Sequence, residues 1–238
     1  MIEEALTFLF GTIFFNCLFK KNNVMKRVLI IAVMVTTGII SKAQTISFGP
    51  TGGFGHSWIT NSDGDSKFNP AWNAGLSLIY SSKSNFGLGV DVKYSAEGNK
   101  TTYTAAGIPE QPNNTVTETV NVNYIRVPVK LIYFFGNNKS AVRPKIYAGP
   151  SFGFLTGGNI ADELSGIKTK VDTKDYIKNF DFGVTAAAGL NFRVAPRTWL
   201  NTDIAFYQGL TDITKSNNST QHNANVGVNL GLLIGLGK

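Results

Sequence analysis

The sequence predicts an all-β fold: an eight-stranded antiparallel up-and-down barrel that crosses a membrane. Three observations carry this. Apolar and polar residues alternate with a period of two in eight segments after residue 44. The connections between those segments alternate strictly between short and long. The apolar faces together hold more side-chain bulk than the inside of an eight-stranded barrel can take.

The last segment, residues 224–236, is the purest. Ala224, Val226, Val228, Leu230, Leu232, Ile234 and Leu236 alternate with Asn225, Gly227, Asn229, Gly231, Leu233 and Gly235, and only Leu233 breaks the rule. Residues 180–192 repeat the pattern, with Phe180, Phe182, Val184, Ala186, Ala188, Leu190 and Phe192 on one face. Successive side chains of a strand point to opposite sides, so each segment has one apolar and one polar or small face. The other strands span residues 45–55, 71–80, 86–97, 123–134, 143–155 and 198–209. In the fourth strand the apolar positions are odd-numbered, and the phase slips near Tyr124, which suggests a bulge or the point where the strand leaves the loop. Pro50, Pro128 and Pro150 sit awkwardly in a closed ring, because proline removes a ladder donor. Residues 81–85, 136–142 and 194–197 form short turns, and residues 56–70, 98–122, 156–179 and 210–222 form long loops. Short periplasmic turns and long external loops are the pattern of a membrane barrel.

Alternation alone also fits a soluble barrel with its apolar face inward. Bulk decides against it: the apolar faces are rich in Phe, Leu and Ile, whereas the opposite faces carry Gly, Ser, Thr and Asn. Aromatic residues fall into two expected girdles. Trp72, Tyr94, Phe154 and Phe180 lie toward the long loops, and Tyr80, Phe86, Tyr133, Phe192 and Trp199 toward the short turns. The inward face is expected to hold Asp91, Glu97, Asp181 and Asp203 against Lys93, Arg126, Lys130, Lys145 and Arg193. Buried charges are costly unless paired, so a salt-bridged, plugged lumen is expected; an ion-selective pore is the alternative.

Charged residues make up 16% of the chain, below the roughly 25% of soluble domains. The mean hydropathy of +0.01 is far below what long membrane helices would give. The net charge is +7, but residues 1–43 carry five Lys and Arg against two Glu, and what remains is too mild and scattered for nucleic acid. The one cysteine, Cys17, allows no intrachain disulfide or cysteine-based zinc site, and no cofactor is expected. Met25-Lys26-Arg27, the apolar run 28–40 and Ser41-Lys42-Ala43 together read as a secretory signal peptide over residues 25–43. The barrel domain then spans residues 44–238, and residues 1–24 read as an upstream mis-start or an extra hydrophobic segment.

The two histidines, His56 and His222, stand at the first and fourth long loops, and ring closure brings those loops together. With Asp63, Asp65 and Asp212 on the same loops they suggest a loop-borne hydrolase, although the spacing does not enforce hydrogen-bond reach. Asn61-Ser62-Asp63-Gly64-Asp65 hints at calcium but lacks the ligand spacing and closing Glu of a calcium loop.

The run Tyr124-Ile125-Arg126-Val127-Pro128-Val129-Lys130-Leu131, the run Pro144-Lys145-Ile146-Tyr147-Ala148-Gly149-Pro150-Ser151, and Asp181-Phe182-Gly183 with Ala188-Gly189-Leu190 resemble PorT-like outer-membrane β-barrel proteins. The resemblance covers residues 44–238 and implies a small porin-like barrel of the OmpA/OmpX type in the cell outer membrane of a gram-negative bacterium. It implies no catalytic residue. It implies contact with outer-membrane lipid and the barrel-insertion machinery, and a connection with secretion assembly. The chain departs from such barrels in ending Leu236-Gly237-Lys238 rather than in an aromatic residue. Three functions are weighed: a non-enzymatic anchor whose four external loops meet a partner, a secretion-assembly factor or narrow pore, and a hydrolase.

Overall fold

The computed structural model describes residues 45–62, 64–82, 85–104, 115–136, 140–164, 166–216 and 219–236. The expected signal peptide, the segment before it with Cys17, Gln44 and Asp63 lie outside the described residues. The alternating segments form strands because β-branched and aromatic residues favour the pleated backbone and each strand can turn one face to each environment. The strands are β1 (Thr45–Thr60), β2 (Asp65–Lys67), β3 (Pro70–Ser81), β4 (Phe86–Thr104), β5 (Thr115–Phe134), β6 (Val142–Leu164), β7 (Ile167–Asp172), β8 (Phe180–Ala195), β9 (Thr198–Gly209) and β10 (His222–Gly235), with a short 3₁₀ turn at Thr173–Asp175. Among the described residues no helix is long and apolar enough to cross a membrane.

Eight strands, β1, β3, β4, β5, β6, β8, β9 and β10, pair antiparallel in that order, and β10 returns to β1 from Ser47↔Gly235 to Thr60↔His222. The ring is closed, so no barrel strand is left with an open edge. Even-numbered side chains face outward on every ring strand except β5, where odd-numbered ones do, and the part of β6 beyond Thr156, where an extra residue reverses the phase. Phe48, Leu76, Leu88, Leu131, Ile146, Val184, Ile204 and Leu230 are all exposed on that outer wall.

The structure departs from the sequence reading at the long-loop end. β4, β5 and β6 run well past their expected limits, and two short strands join them: β2 beside β4 and β7 beside β6. Much of the second and third long loops, with residues 65–67 of the first, is therefore a sheet of β2, β4, β5, β6 and β7 standing on one side of the ring. Residues 99–104 and 115–122 escaped notice because they lack an apolar outer face. Their Thr and Val residues favour strand, but the apolar positions Val116, Val120 and Val122 are buried on the inner side.

The irregular spots also have local causes. Partner assignments skip Gly49 and Pro50 between β1 and β10, and skip residues 129–130 opposite 149–150 between β5 and β6; the same register resumes beyond each gap. Proline cannot donate there, and a Cβ on Gly49 or Gly149 would collide with the facing carbonyl of Leu232 or Val129. Near Tyr124 the β5–β6 register does shift, but the extra residue is Thr156 on β6: Asn123 faces Gly157 and Tyr124 faces Leu155. β5 itself keeps its phase. Two buried apolar clusters lie inside the ring, one near each end.

Candidate functional site: a charged lumen between two apolar plugs

The inward face of β5 displays the layers of the lumen in order. From the long-loop end it reads Val120, Val122 and Tyr124, then Arg126, Pro128 and Lys130, then Ile132 and Phe134. Apolar ends enclose a charged middle.

At the long-loop end Val120, Val122 and Tyr124 pack with Ile59 of β1 and with two loop residues, Ile177 and Ile213. Ile213 and Tyr124 are completely buried. Two loops are clasped to deliver those isoleucines. The N–H of Lys178 donates to Ile213 O at 2.7 Å, and the N–H of Lys215 donates to Tyr176 O at 2.8 Å, around an Ile177↔Thr214 bridge. The Lys178 ammonium donates to Asp212 Oδ2 at 2.6 Å, while Asp212 Oδ1 accepts from the N–H groups of Gln221 (3.0 Å) and Thr214 (3.2 Å). Partial burial pushes the Asp212 carboxyl up, but the Lys178 hydrogen bond and those two N–H donors outweigh it and hold the carboxyl below its ordinary value. At the short-turn end Ile79, Ile132, Phe134, Tyr147 and Leu233 form the other plug, with Ala187 against it.

Between the plugs lie two charged layers. In the outer one the Arg126 guanidinium spans two carboxylates. Its Nε meets Glu97 Oε1 at 2.5 Å, and one Nη meets Glu97 Oε2 at 2.6 Å and Asp181 Oδ2 at 2.8 Å. Ser95 Oγ donates to Glu97 at 2.7 Å, and Tyr207 Oη, Asn223 Nδ2 and Thr211 Oγ1 donate to Asp181 at 3.0, 3.0 and 3.3 Å. The guanidinium lies over the rings of Tyr207 at 3.9 Å and Tyr124 at 4.9 Å.

In the inner layer Lys130 Nζ meets Asp91 Oδ1 at 2.5 Å, with Lys93 3.8 Å from Oδ2 of the same carboxylate. Lys145 Nζ reaches Asp203 Oδ1 at 3.0 Å and Asn201 Oδ1 at 2.8 Å. Four cations and four anions thus balance over the two layers, although the outer has an extra carboxylate and the inner an extra ammonium. About 10 Å³ is free beside Asp91, Lys130, Lys145 and Asp203, and about 30 Å³ beside Asn73, Ser95, Glu97 and Asn225, room for one or two waters at each place.

Arg193 stands apart from these pairs, nearer the short turns, with its guanidinium 4.7 Å from the centre of the Trp199 ring. This corrects the girdle reading for Trp199. It is odd-numbered on β9 and faces Arg193 and Leu233 in register, so its ring turns into the lumen while Leu200, on the even-numbered face, turns outward. The remaining girdle residues lie on the outer face. Trp72 and Tyr94 have ring centres 5.5 Å apart, and Phe154 and Phe180 5.6 Å apart, toward the long loops. Phe86 and Tyr133 meet edge to face at 5.2 Å toward the short turns, where Tyr80 and Phe192 also lie.

The two histidines are not brought together. His56 pairs in register with Val226 and His222 with Thr60, a separation of four residues or about 13 Å along adjacent strands. His56 is stacked between Trp58 and Phe68 and takes the N–H of Asn69 on Nδ1, whereas His222 Nδ1 lies 3.0 Å from Thr211 O. Asp212 holds the loop clasp, and Asp65 lies on β2 facing Thr102. Among the described residues no three His, Cys, Asp or Glu gather as a metal site. Sequence reasoning missed the tyrosines and asparagines that complete the charged layers, and it missed both plugs.

The family described as outer membrane protein beta-barrel domain matches residues 42–215, which take in seven of the eight ring strands. No curated protein matches the sequence. Among solved structures, the major outer membrane protein of Thermus thermophilus is 10% identical, with a TM-score of 0.49 over 82% of this chain and 100% of that one. OprG of Pseudomonas aeruginosa is 11% identical, with a TM-score of 0.43 over 82% and 96%. Neisserial surface protein A is 11% identical, with a TM-score of 0.42 over 80% and 96%.

Proposed function

We propose that this chain, which belongs to the outer membrane protein beta-barrel domain family, is a non-enzymatic anchor: a barrel with a filled lumen that holds an external sheet and loops for a partner. The observation that carries this reading is the arrangement of the lumen, in which ion-paired charges lie between two apolar plugs, with room for one or two waters at each of two places among the described residues. A hydrated ion crossing it would have to part both plugs and displace four paired cations. Planar-bilayer recording of the purified barrel tests the reading. We expect no stable conductance step, and a reproducible ohmic step would overturn it.

A second reading has one observation in its favour. The sheet of β2, β4, β5, β6 and β7 rising on one side of the ring is a broad surface for another protein, as a PorT-like secretion-assembly factor would need. Co-purification of secretion-machinery components, lost when the β6–β7 hairpin is shortened, would favour it over a passive anchor. Both readings include export by the signal over residues 25–43, and N-terminal sequencing of the membrane-inserted chain should begin at Gln44.

A further inference from the structure

The standing sheet contains two oppositely composed charge pairs. On β6 and β7, Glu163 faces Lys168, and their side chains form an ion pair at 3.1 Å. On β2 and β4, Lys67 faces Lys100. Side chains directly opposite in an antiparallel pair share one face at close range, and like charges there repel. Asp65 lies two residues further out on the same face, opposite Thr102, and among the described residues neither lysine has an ion pair.

Where the two lysines sit gives the repulsion a use. Lys100 is even-numbered on β4, on the same outer face as Tyr94, and lies four residues beyond Ala96, the partner of Trp72. That puts the lysines about 13 Å further along the strand than Trp72 and about 20 Å further than Tyr94, whose rings pack together. Just below them Phe68 is exposed and stacks on His56, which also stacks on Trp58. Apolar rings thus lie at the lipid interface with two ammonium groups one headgroup's height above.

We infer that Lys67 and Lys100 together bind the phosphate of an outer-leaflet glycolipid, whose acyl chains lie along the Trp72, Tyr94 and Phe68 surface. One phosphate between the two ammonium groups turns a repulsive pair into two attractions, and a lysine near a membrane surface contributes about five-fold in affinity for anionic lipid. The inference rests on the membrane placement of the barrel, not on whether its lumen conducts.

The test uses the whole barrel in neutral phosphatidylcholine nanodiscs containing bisphosphorylated lipid A or its dephosphorylated counterpart, with the lipid retained per barrel read by native mass spectrometry. Wild-type barrel should retain the phosphorylated form and not the other. Lys67→Gln and Lys100→Gln should each weaken retention about five-fold. Lys100→Glu should abolish it while giving Lys67 an ion-pair partner, with heat-modifiable mobility on gels unchanged. Lys168→Gln should leave retention as it was. Equal retention of the two lipids, or full retention by Lys100→Glu, would overturn the assignment. Displacement of lipid A by millimolar inorganic phosphate would also overturn it, by showing a free-anion site.

Discussion

The two charged layers of the lumen meet the same electrostatic demand with different geometry. Around Arg126 one cation serves two carboxylates, gripping Glu97 with two nitrogens and reaching Asp181 with one of them, between two tyrosine rings. Around Lys130 and Lys145 three ammonium groups share two aspartates, and one of the three, Lys93, stands 3.8 Å off. A planar guanidinium fixes direction as well as charge, whereas an ammonium acts as a point charge on a flexible stem. The outer layer should therefore tolerate no exchange of its cation, and the inner layer should tolerate the loss of one.

The largest expected effect is at Arg126. Arg126→Leu leaves Glu97 and Asp181 buried without a cation and should cost about 3–5 kcal/mol, read as a fall in the urea midpoint in lipid vesicles. Arg126→Lys should restore little of it, because an ammonium cannot span both carboxylates; full recovery would break the comparison. Next is the plug beneath the lysines. Leu233→Ala should cost about 2–5 kcal/mol and admit water to the inner layer, seen as faster hydrogen exchange on β10. Within the inner layer, Lys130→Met should cost about 1–3 kcal/mol. Lys93→Met should stay within about 1 kcal/mol of wild type, because it removes the extra positive charge.

The smallest effect concerns the clasp over the outer plug. The Asp212 carboxyl is held below its ordinary value in the folded state, so its contribution is present above the unfolded value and is lost as pH falls through the lower, folded one. Slow exchange at the N–H groups of Gln221 and Thr214 should therefore persist below the ordinary carboxylate range near pH 4. Asp212→Asn should remove that pH dependence.

Much of the fold was legible because the wall repeats one simple rule. All eight ring strands could be found from alternation alone, and the sixth to eighth, β8, β9 and β10, nearly to the residue. The lumen charges could be named because an ionised side chain on the polar face of a barrel strand has only the interior to enter. The plugs were harder to see, since they are written as violations of the rule. Leu233, the one apolar residue on the wrong face of the last strand, is buried in the short-turn plug, as are Ile79, between Leu78 and Tyr80, and Ile132, within the apolar run 131–135. The apparent slip at Tyr124 marks the outer plug. Ile177 and Ile213 carried no periodic signal, because loop residues are placed by backbone bonds between distant segments. Trp199 has the look of an interfacial aromatic because it stands at a strand end, but its odd number on β9 puts it on the inner face beside Leu233.

Cysteine accessibility tests the sealed lumen most directly. The chain's own Cys17 precedes the barrel, so Ser95→Cys places a single thiol in the barrel between the plugs, against Glu97. Reaction with a charged, water-soluble methanethiosulfonate should be negligible in the folded barrel added from either side, and complete after unfolding in urea. Labelling of the folded barrel at the rate of an exposed loop cysteine would contradict the account.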